Sequence, residues 1–580
     1  MNLPQLRVKH PSRWRTGVLV GVHLLILVHI AHWLSSGKTI AGLEPSEAME
    51  FSKHGIVNLG LILLVGAALI TAVFGRFFCG WGCHIIAMQD LCRWLMIKIG
   101  ITPKPLRSRL LRWVPVAAFI YMFVWPIVYR LGAGHVFPPI TTAMTTSNLW
   151  ATMPGLVIGG LTIVVCGFAI VYVLGAKGFC TYACPYGALF GAADRLAPLR
   201  VRVNDDCNQC AHCTAACTSN VRVHEQVRDF AMVRDPGCMK CLDCVAACPN
   251  DALFVGLGRP ALGARPRVEG PPAGRPWNVS WLEEVVLASA FVLAFATFRG
   301  LYGRFPFLLA LGLSGILAFL SLTSIRLVRD RNLRFSAARL KRDGRVTSAG
   351  WVFVFLMSVV GGFWGHSVLV RYHEVRGDSV FSKTAGLRAE ALDLGWLSLG
   401  DLEETKLVER GSDHTEWGQH WGLVRNPTSH FKAAWFHFLL GQTESAMTSV
   451  EQALKAQPKA SEVHLLHGRV LVGLGRHQEA VMAFARSVEL DPNVTQGFIS
   501  LGSLLGGLGD VPRAQEVFRR GALRHPDNAD LHYNFGVACA IGGDVEVAAA
   551  AFEQALAINP EHEKARENLA GLTTFRAPVE

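Results

Sequence analysis

The sequence predicts a multi-pass, all-α membrane protein with a small cysteine-rich α+β module and a C-terminal α-solenoid. Three observations predict this class. Apolar residues make up 51% of the 580 residues, with a mean hydropathy of +0.31, which is too apolar for an ordinary soluble or disordered chain. Eight cysteines form two similar four-cysteine runs, and the last third repeats with a fixed period. The net charge of +12 indicates basic cytoplasmic loops in such a chain rather than nucleic-acid binding.

Uncharged runs that could cross a hydrocarbon layer of about 30 Å define the membrane part. Six are predicted as spans: Thr16–Leu34, Gly55–Gly75, Trp113–Tyr129, Pro154–Ala176, Phe305–Ile325 and Val346–Val370. A seventh, Val285–Phe298, has only 14 residues between Glu284 and Arg299. It therefore needs the flanking Trp281 and Leu282, with a snorkelling arginine, to cross the layer.

Basic residues predict the orientation of these spans in the membrane. Arg7, Lys9, Arg13 and Arg15 precede the first span, and the segments 76–112 and 326–345 hold seven and eight Lys or Arg residues. The positive-inside rule then places the N-terminus and the cysteine-rich module in the cytoplasm. Seven crossings put the C-terminal region outside the cytoplasm, and six crossings would leave it inside. The first span is too long for a cleaved signal peptide.

The strongest motif is a pair of four-cysteine runs separated by 20 residues. The runs are Cys207-x2-Cys210-x2-Cys213-x3-Cys217 and Cys238-x2-Cys241-x2-Cys244-x3-Cys248-Pro249. In two-cluster ferredoxins, each [4Fe-4S] cluster takes three cysteines from one run and the fourth from the other. This pattern predicts one cluster on Cys207, Cys210, Cys213 and Cys248, and a second on Cys238, Cys241, Cys244 and Cys217. Zinc is less well matched, because tetrahedral zinc sites use two C-x2-C pairs.

Two further cysteine pairs follow predicted spans that run in the same direction. Cys79-x3-Cys83 follows the second span, and Cys180-x3-Cys184 follows the fourth. Both pairs are therefore expected at the same membrane face, where four thiolates could hold a third metal centre. Two separate pairs of unligated thiols remain the alternative, since a reducing cytoplasm tolerates them.

These motifs together resemble the membrane polyferredoxin family of NapH, NosR and CcoG, which is also called FixG or RdxA. The resemblance covers about residues 13–257. Family members carry C-x3-C-P, which the second pair matches with Pro185, whereas His84 replaces this proline in the first pair. The resemblance implies an electron-transfer role, often between the quinone pool and a periplasmic oxidoreductase or a metal-maturation pathway.

The remaining cysteines and the histidines of the spans are given structural interpretations. Cys92, Cys166 and Cys539 are expected to be small buried residues. The first span contains His23, His29 and His32, and the last contains His366. These histidines could bind a quinol headgroup or ligate haem, although packing with a hydrogen bond to a carbonyl is the commoner role for such residues.

A 34-residue period from Pro427 predicts four tetratricopeptide repeats and a trailing helix from Glu563. A small residue recurs in the first helix, and alanine, a large apolar residue and proline follow at fixed positions. The four series are Ala434, Gly468, Gly502 and Gly536; Ala446, Ala480, Ala514 and Ala548; Val450, Phe484, Phe518 and Phe552; and Pro458, Pro492, Pro526 and Pro560. The small residues allow the two helices of a repeat to approach, and the concave side of such a solenoid binds a partner protein or peptide.

The predicted domains are a four-helix membrane domain, the cluster module, a linker, a three-helix membrane region, a connector and the repeats. Their bounds are 1–199, 200–256, 257–280, 281–370, 371–426 and 427–580. The preferred function is an electron relay between a membrane donor, the quinone pool, and an oxidoreductase that binds the repeats. A cupric reductase or maturation factor of the CcoG type, and an assembly scaffold with structural clusters, are the alternatives.

Overall fold

A computed structural model describes residues 11–103, 106–134, 136–149, 155–267, 277–335, 338–394 and 401–575. The N-terminal Arg7 and Lys9 and residues 268–276 of the predicted linker therefore lie outside the described residues. The chain divides into two compact units. One comprises Met1–Gly300 and Phe305–Gly365, and the other comprises Leu301–Arg304 and His366–Glu580.

The protein is mostly helical. Its helices are α1 (Pro11–Ser36), α2 (Met49–His54), α3 (Leu59–Phe74), α4 (His84–Lys98), α5 (Val114–Phe119), α6 (Trp125–Gly132), α7 (Leu156–Ile163), α8 (Ile170–Leu174), α9 (Gly178–Tyr182), α10 (Tyr186–Asp194), α11 (His212–Ala215), α12 (Val223–Phe230), α13 (Asp243–Ala246), α14 (Trp281–Phe298), α15 (Phe307–Arg329), α16 (Ser348–Lys383), α17 (Ala385–Leu394), α18 (Leu402–Trp421), α19 (Ser429–Leu439), α20 (Thr443–Ala456), α21 (Ser461–Gly473), α22 (His477–Leu490), α23 (Thr495–Gly507), α24 (Val511–Arg524), α25 (Ala529–Ile541), α26 (Val545–Ile558) and α27 (Glu563–Phe575). Single π-helical turns at Phe78–Gly82, Ile120–Val124 and Val164–Ala169 adjoin several of them.

The strands are short and form four small sheets. They are β1 (Thr39–Ile40), β2 (Ile56–Asn58), β3 (Thr141–Ala143), β4 (Thr145–Thr146), β5 (Arg200–Val203), β6 (Leu253–Gly256), β7 (Leu333–Phe335), β8 (Ala338–Arg342) and β9 (Arg345–Val346). The pairs β1–β4, β5–β6, β7–β8 and β8–β9 are antiparallel, and β2–β3 is parallel. Pairing of β5 with β6 closes the cysteine-rich module, because one strand precedes the first cysteine run and the other follows the second.

Six helical segments among the described residues are long and apolar enough to cross a membrane. They are Ser12–Ser36, Leu111–Gly132, Leu156–Leu174, Trp281–Phe298, Phe307–Arg329 and Ser348–Lys383. The segment that looked weakest in the sequence qualifies, because its helix begins four residues earlier than the uncharged run. A capping box fixes this start: the Ser280 side chain accepts from the backbone of Glu283, whose carboxylate accepts from the backbone of Ser280.

The predicted span Gly55–Gly75 is shorter in the structure. Its helix, α3, has 16 residues, which corresponds to about 24 Å at the usual helical rise. Gly55 adopts a left-handed φ of 69°, and the next three residues form β2 instead of helix. Asn58 then caps α3 by accepting a hydrogen bond from the backbone of Leu61. Local turn and cap chemistry therefore removes four residues from the predicted start.

Hydrogen bonds connect one set of helix ends, which we call the cysteine end of the bundle. Arg15, near the start of α1, donates to the Gly80 carbonyl beyond the end of α3 at 2.7 Å. Leu106, before α5, donates to Leu174 at the end of α8 at 3.3 Å. At the start of α14, Glu284 accepts from the backbone of Arg109 at 2.7 Å.

The last apolar helices join the same end. Glu283 of α14 accepts from Arg326 and Arg329 at the end of α15, each at 2.8 Å. Lys341 of β8 donates to the Leu327 carbonyl of α15 at 2.8 Å. Gly350, in the first turn of α16, packs directly on the Leu340 carbonyl. The apolar helices therefore alternate in direction along the chain, with α1, α5–α6, α14 and α16 starting at the cysteine end.

The C-terminal helices form the predicted repeats, α19 to α26, and α27 follows as the trailing helix. In the last three repeats, the glycine of the first helix lies against the phenylalanine of the same repeat. A Cβ on Gly468 would lie 2.4 Å from the Phe484 ring, and one on Gly502 would lie 2.5 Å from Phe518. The phenylalanine thus fills the space between the two helices of one repeat. The predicted connector 371–426 is largely helical, containing the end of α16, α17 and α18.

Candidate iron-sulfur centres

The two four-cysteine runs have the same backbone conformation. Non-glycine residues with positive φ occur at matching positions, two, four and thirteen residues after the first cysteine of each run. They are Gln209, Ala211 and Asn220 in the first run, and Lys240, Leu242 and Asp251 in the second. The short helices α11 and α13 also begin at equivalent positions. Such residues are uncommon, and alternating right- and left-handed residues point backbone N–H groups into anion-binding concavities of the kind found at iron-sulfur sites.

The first cysteine group comprises Cys207, Cys210, Cys213 and Cys248, and it lines one small cavity. Three of these residues come from the first run and the fourth comes from the second. Pro249, Ala252 and Leu253 complete much of the wall. The donor set and the largely apolar lining fit a [4Fe-4S] cluster, whose four thiolate ligands are divided between the runs in this manner.

The second cysteine group comprises Cys217, Cys238, Cys241 and Cys244. Cys238 and Cys244 are buried in an apolar cluster with valines of the module. Burial raises the pKa of Cys217 to about 12, and the nearby Cys241 and Cys238 raise it further. Burial also raises the pKa of Cys244, with the other three members of the group contributing. Burial therefore disfavours the free thiolates of Cys217 and Cys244, and a bound metal or cluster would supply the positive charge that stabilises them as thiolate ligands.

Thr218 stands where the second run has Pro249, and its side chain ties the two runs together. Its hydroxyl donates to the Asp243 carboxylate at 3.3 Å and lies 3.7 Å from the Cys241 sulfur. The departure from proline therefore leaves the turn after Cys217 anchored by hydrogen bonds.

The C-x3-C group, Cys79, Cys83, Cys180 and Cys184, comes together beyond the ends of α3 and α8. Burial raises the pKa of Cys184 to about 12, and the nearby Cys83 and Cys79 add to this effect. Burial likewise raises the pKa of Cys83 to about 11, with a contribution from Cys79. Gln89 of α4 donates to the Cys180 sulfur at 3.0 Å. The two motifs, about 100 residues apart in the chain, therefore form one group of thiols, of which Cys180 is buried and the other three are partly buried.

A cation lies beside this group. Arg76 is buried. Burial alone would lower the pKa of its guanidinium, but the neighbouring Cys79, Cys184 and Cys180 raise this pKa above its ordinary value. Arg76 also donates to the Pro236 carbonyl at 2.9 Å, just before the second run. A permanent positive charge at this place would stabilise a negatively charged thiolate centre.

The first C-x3-C turn packs directly on the second run. A Cβ on Gly80 would lie 2.0 Å from the Met239 carbonyl oxygen, so only glycine allows this approach. The Trp81 indole donates to the Lys240 carbonyl at 2.9 Å. The loop between Cys79 and Cys83 therefore touches the loop between Cys238 and Cys241. The sequence signal that could have indicated this contact is the Gly80-Trp81-Gly82 tripeptide between the two cysteines.

A fully buried ion cluster supports the same region, and sequence reasoning missed it. Asp194, at the end of α10, accepts from Lys240 at 2.9 Å and from Arg200 at 3.0 Å, and it also accepts from the Arg76 backbone at 3.2 Å. The Asp194, Lys240 and Arg200 side chains have no exposed surface. Lys177, before α9, is also wholly buried, and its ammonium has no hydrogen-bond partner among the described residues.

The histidines of the predicted spans make ordinary hydrogen bonds. Ring nitrogens of His23, His29 and His366 each lie 2.8 to 3.1 Å from a backbone carbonyl oxygen. These carbonyls belong to Leu19, Ile40 and Trp421, in that order. His32 lies 3.0 Å from the Thr39 hydroxyl. Cys92, Cys166 and Cys539 are buried, as predicted. Within the described ranges, no three His, Cys, Asp or Glu side chains are grouped closely enough to suggest a single-ion site.

Two family models match the chain. A 4Fe-4S binding domain model matches residues 58–102 and 156–204, and a tetratricopeptide repeat model matches residues 432–494 and 499–563. Each 4Fe-4S match contains one C-x3-C pair with the apolar helix before it, and neither reaches Cys207. The predicted repeats are confirmed by the second model.

Known proteins similar to this chain carry ferredoxin-type names. The methylamine utilization ferredoxin-type protein MauN of Methylorubrum extorquens is 29% identical over 185 residues, covering 30% of this chain and 60% of MauN. The ferredoxin-type protein NapH of Haemophilus influenzae is 29% identical over 171 residues, covering 27% of this chain and 53% of NapH. The crystal structure of YrrB, a TPR protein, matches with a TM-score of 0.26 and 25% identity, covering 29% of this chain and 86% of YrrB.

The cysteine motifs, the 4Fe-4S matches and the six apolar helices support the class of ferredoxin-type iron-sulfur proteins with membrane helices. The chain spans somewhat over half the length of MauN and NapH. More particularly, it is similar to the ferredoxin-type proteins NapH and MauN, and it carries C-terminal tetratricopeptide repeats.

Proposed function

We propose that this chain relays single electrons through two [4Fe-4S] clusters, held by the first and second cysteine groups. The observation that carries this proposal is the cavity lined by Cys207, Cys210, Cys213 and Cys248, in which three ligands come from one run and one from the other. The clusters supply one-electron chemistry when bound, and the protein sets their potentials through hydrogen bonds, charge and exposure.

The experiment is anaerobic purification with iron and sulfide analysis and redox-poised EPR. We expect about eight irons if two clusters are present. Cys210→Ser should remove the signal of the first cluster and Cys241→Ser that of the second. Cys539→Ser is the matched control, because Cys539 is buried in the repeats and outside every motif. A colourless, zinc-loaded protein with two irons or fewer would refute the proposal.

The C-x3-C group is proposed as a third metal centre. Two observations support it: the four cysteines pack together beside Arg76, and each match to the 4Fe-4S binding domain model contains one of the pairs. We expect an iron content near twelve that falls in Cys83→Ser and Cys184→Ser but not in Cys92→Ser. Copper bound by the same four cysteines would instead favour a cupric reductase, the second candidate function.

We propose a bacterial inner-membrane location with seven crossings. The alternating helix directions and the shared cysteine end support this number, since α3 and α8 both run toward the C-x3-C group although α3 is short. The basic residues of the segment 326–345 favour a cytoplasmic cysteine end. An odd number of crossings then puts the residues that follow α16 in the periplasm.

We propose that the quinone pool is the membrane donor of the electrons and that their acceptor is an oxidoreductase bound to the repeats. Reporter fusions test the topology: alkaline phosphatase fused after residue 580 should be active and green fluorescent protein at the same position dark. The opposite pattern would contradict seven crossings without affecting the cluster assignment.

A further inference from the structure

Helix α17 is bound along the first helices of the repeats. The backbone carbonyl of Leu392, near the end of α17, accepts hydrogen bonds from the Arg469 guanidinium of α21 and from the Gln496 amide of α23, the second at 3.2 Å. Carbonyls in the last turn of a helix have no partner within the helix. Side chains of two consecutive repeats therefore bind the C-terminal end of α17 in the way that a receptor binds a peptide.

These donors lie on the inner side of the solenoid. The first helices of successive repeats contact each other, α19 with α21 and α23 with α25, which is expected on the concave side of a curved array. Solenoids use this concave surface for binding. Because α17 contacts α19 and is held by α21 and α23, it occupies the surface that is available for a partner in other repeat domains.

One face of α17 is anchored by side chains. Ala391 is wholly buried in the apolar core of the repeats, and Leu387 and Leu392 pack against this core. The Arg388 guanidinium lies 3.6 Å from the centre of the Phe381 ring and 5.8 Å from that of Trp435 in α19. Arginine, aromatic and buried apolar contacts of this kind dominate the energy of protein interfaces.

The other face of α17 is exposed, and the helix is short. Ala389 and Glu390 are open to solvent, and the helix has ten residues, below the length at which an isolated helix is stable in water. A helix that is bound through one face and is unstable alone can be displaced by a competitor.

We propose that α17 is a built-in ligand of the concave surface, and that the partner of the repeats binds by displacing it. The partner segment would be a short helix with the chemistry of α17: two leucines and an alanine on one face, an arginine for the aromatic rings, and a free carbonyl end for Arg469 and Gln496. This inference deepens the proposed function, because it rests on the repeats being a docking domain and specifies their ligand.

The test uses the full-length protein in lipid nanodiscs and a fluorescent peptide with the sequence of residues 385–394. The apparent affinity is the intrinsic affinity reduced by the fraction of molecules with an open surface. Wild-type protein should bind the peptide weakly. Ala391→Asp, which places a carboxylate at a wholly buried position, should release α17 and tighten peptide binding at least tenfold. Ala389→Asp, on the exposed face of the same helix, should behave as wild type.

A second variant covers the case in which Ala391→Asp disturbs the repeats. Replacing residues 385–394 by a ten-residue Gly/Ser linker should give the same tight binding and faster hydrogen exchange in α21 and α23. Adding Gln496→Ala to this variant should weaken peptide binding. If neither opened variant binds the peptide more tightly than wild type, the proposal is overturned. Iron content and EPR are measured on the same samples, so failure of the electron relay would be recognised separately.

Discussion

Replacing Gly80 by alanine tests whether the first C-x3-C turn and the second cysteine run form one structural unit. The added methyl carbon would lie 2.0 Å from the Met239 carbonyl oxygen and 3.2 Å from its carbon. Ordinary contact begins near 3.4 Å, and both opposing atoms are backbone. The two loops must therefore separate by at least about 1 Å, and overpacking of this kind costs about 1–3 kcal/mol.

Of the two clusters proposed for the cysteine runs, only the second is expected to respond, and the C-x3-C group itself contains the altered turn. Separation of the loops would weaken the bond between the Trp81 indole and the Lys240 carbonyl, which lies within the second run. Hydrogen bonding and exposure tune the potential of an iron-sulfur cluster. We therefore expect Gly80→Ala to shift the midpoint potential and EPR signal of the second cluster, or to lower its occupancy, while the first cluster remains unchanged.

Gly82→Ala is the matched control, because Gly82 lies in the same π-helical turn. Its added methyl would meet only the edge of the Phe78 ring, at 3.3 Å, and a side chain yields more easily than backbone. The assay is redox-poised EPR of both variants with iron analysis. Equal effects of the two substitutions, or a change in the first cluster as large as that in the second, would refute the packing argument.

Two further substitutions test other parts of the fold. Asp194→Asn leaves Lys240 and Arg200 buried without their carboxylate, and such a loss costs about 3–5 kcal/mol at buried ion pairs. Cluster absorbance should therefore disappear at a lower temperature. Asp205→Asn, on the surface, should leave that temperature unchanged. Gly502→Ala puts a methyl 2.5 Å from the Phe518 ring and should destabilise the repeats by about 1–3 kcal/mol. Gly507→Ala meets nothing within 4 Å and should be neutral or stabilising by up to about 1 kcal/mol in thermal unfolding.

The features that the sequence predicted well are those with a short or fixed spacing. The repeats follow a 34-residue period, and their glycines lie against the phenylalanines of the same repeats because both residues recur in phase. The proximity of the two C-x3-C pairs could also be predicted from the sequence, because two helices that run in the same direction end at the same membrane face. In both cases, the spacing of residues along the chain was enough to predict which residues come into contact.

Other features depend on local chemistry that hydropathy does not describe. The predicted span from Gly55 became the shorter α3 because a left-handed glycine, a short strand and the Asn58 cap occupy its first residues. Conversely, the run from Val285 became an 18-residue helix because of the capping box at Ser280. The length of the uncharged run alone therefore predicted the wrong order of helix length for these two segments.

Contacts between distant charged residues could not be predicted at all, yet they bear on the proposed chemistry. Arg200, Lys240 and Lys177 are wholly buried in the unit that contains the cysteine groups, and Asp194 is the carboxylate that pairs with the first two. A buried charge is costly unless it is compensated. A reduced iron-sulfur cluster carries more negative charge than an oxidised one, so an excess of buried cations would compensate the reduced state and raise the potentials of nearby clusters. Lys177→Met should then lower at least one midpoint potential, whereas an unchanged set of potentials would show that this ammonium has a structural role only.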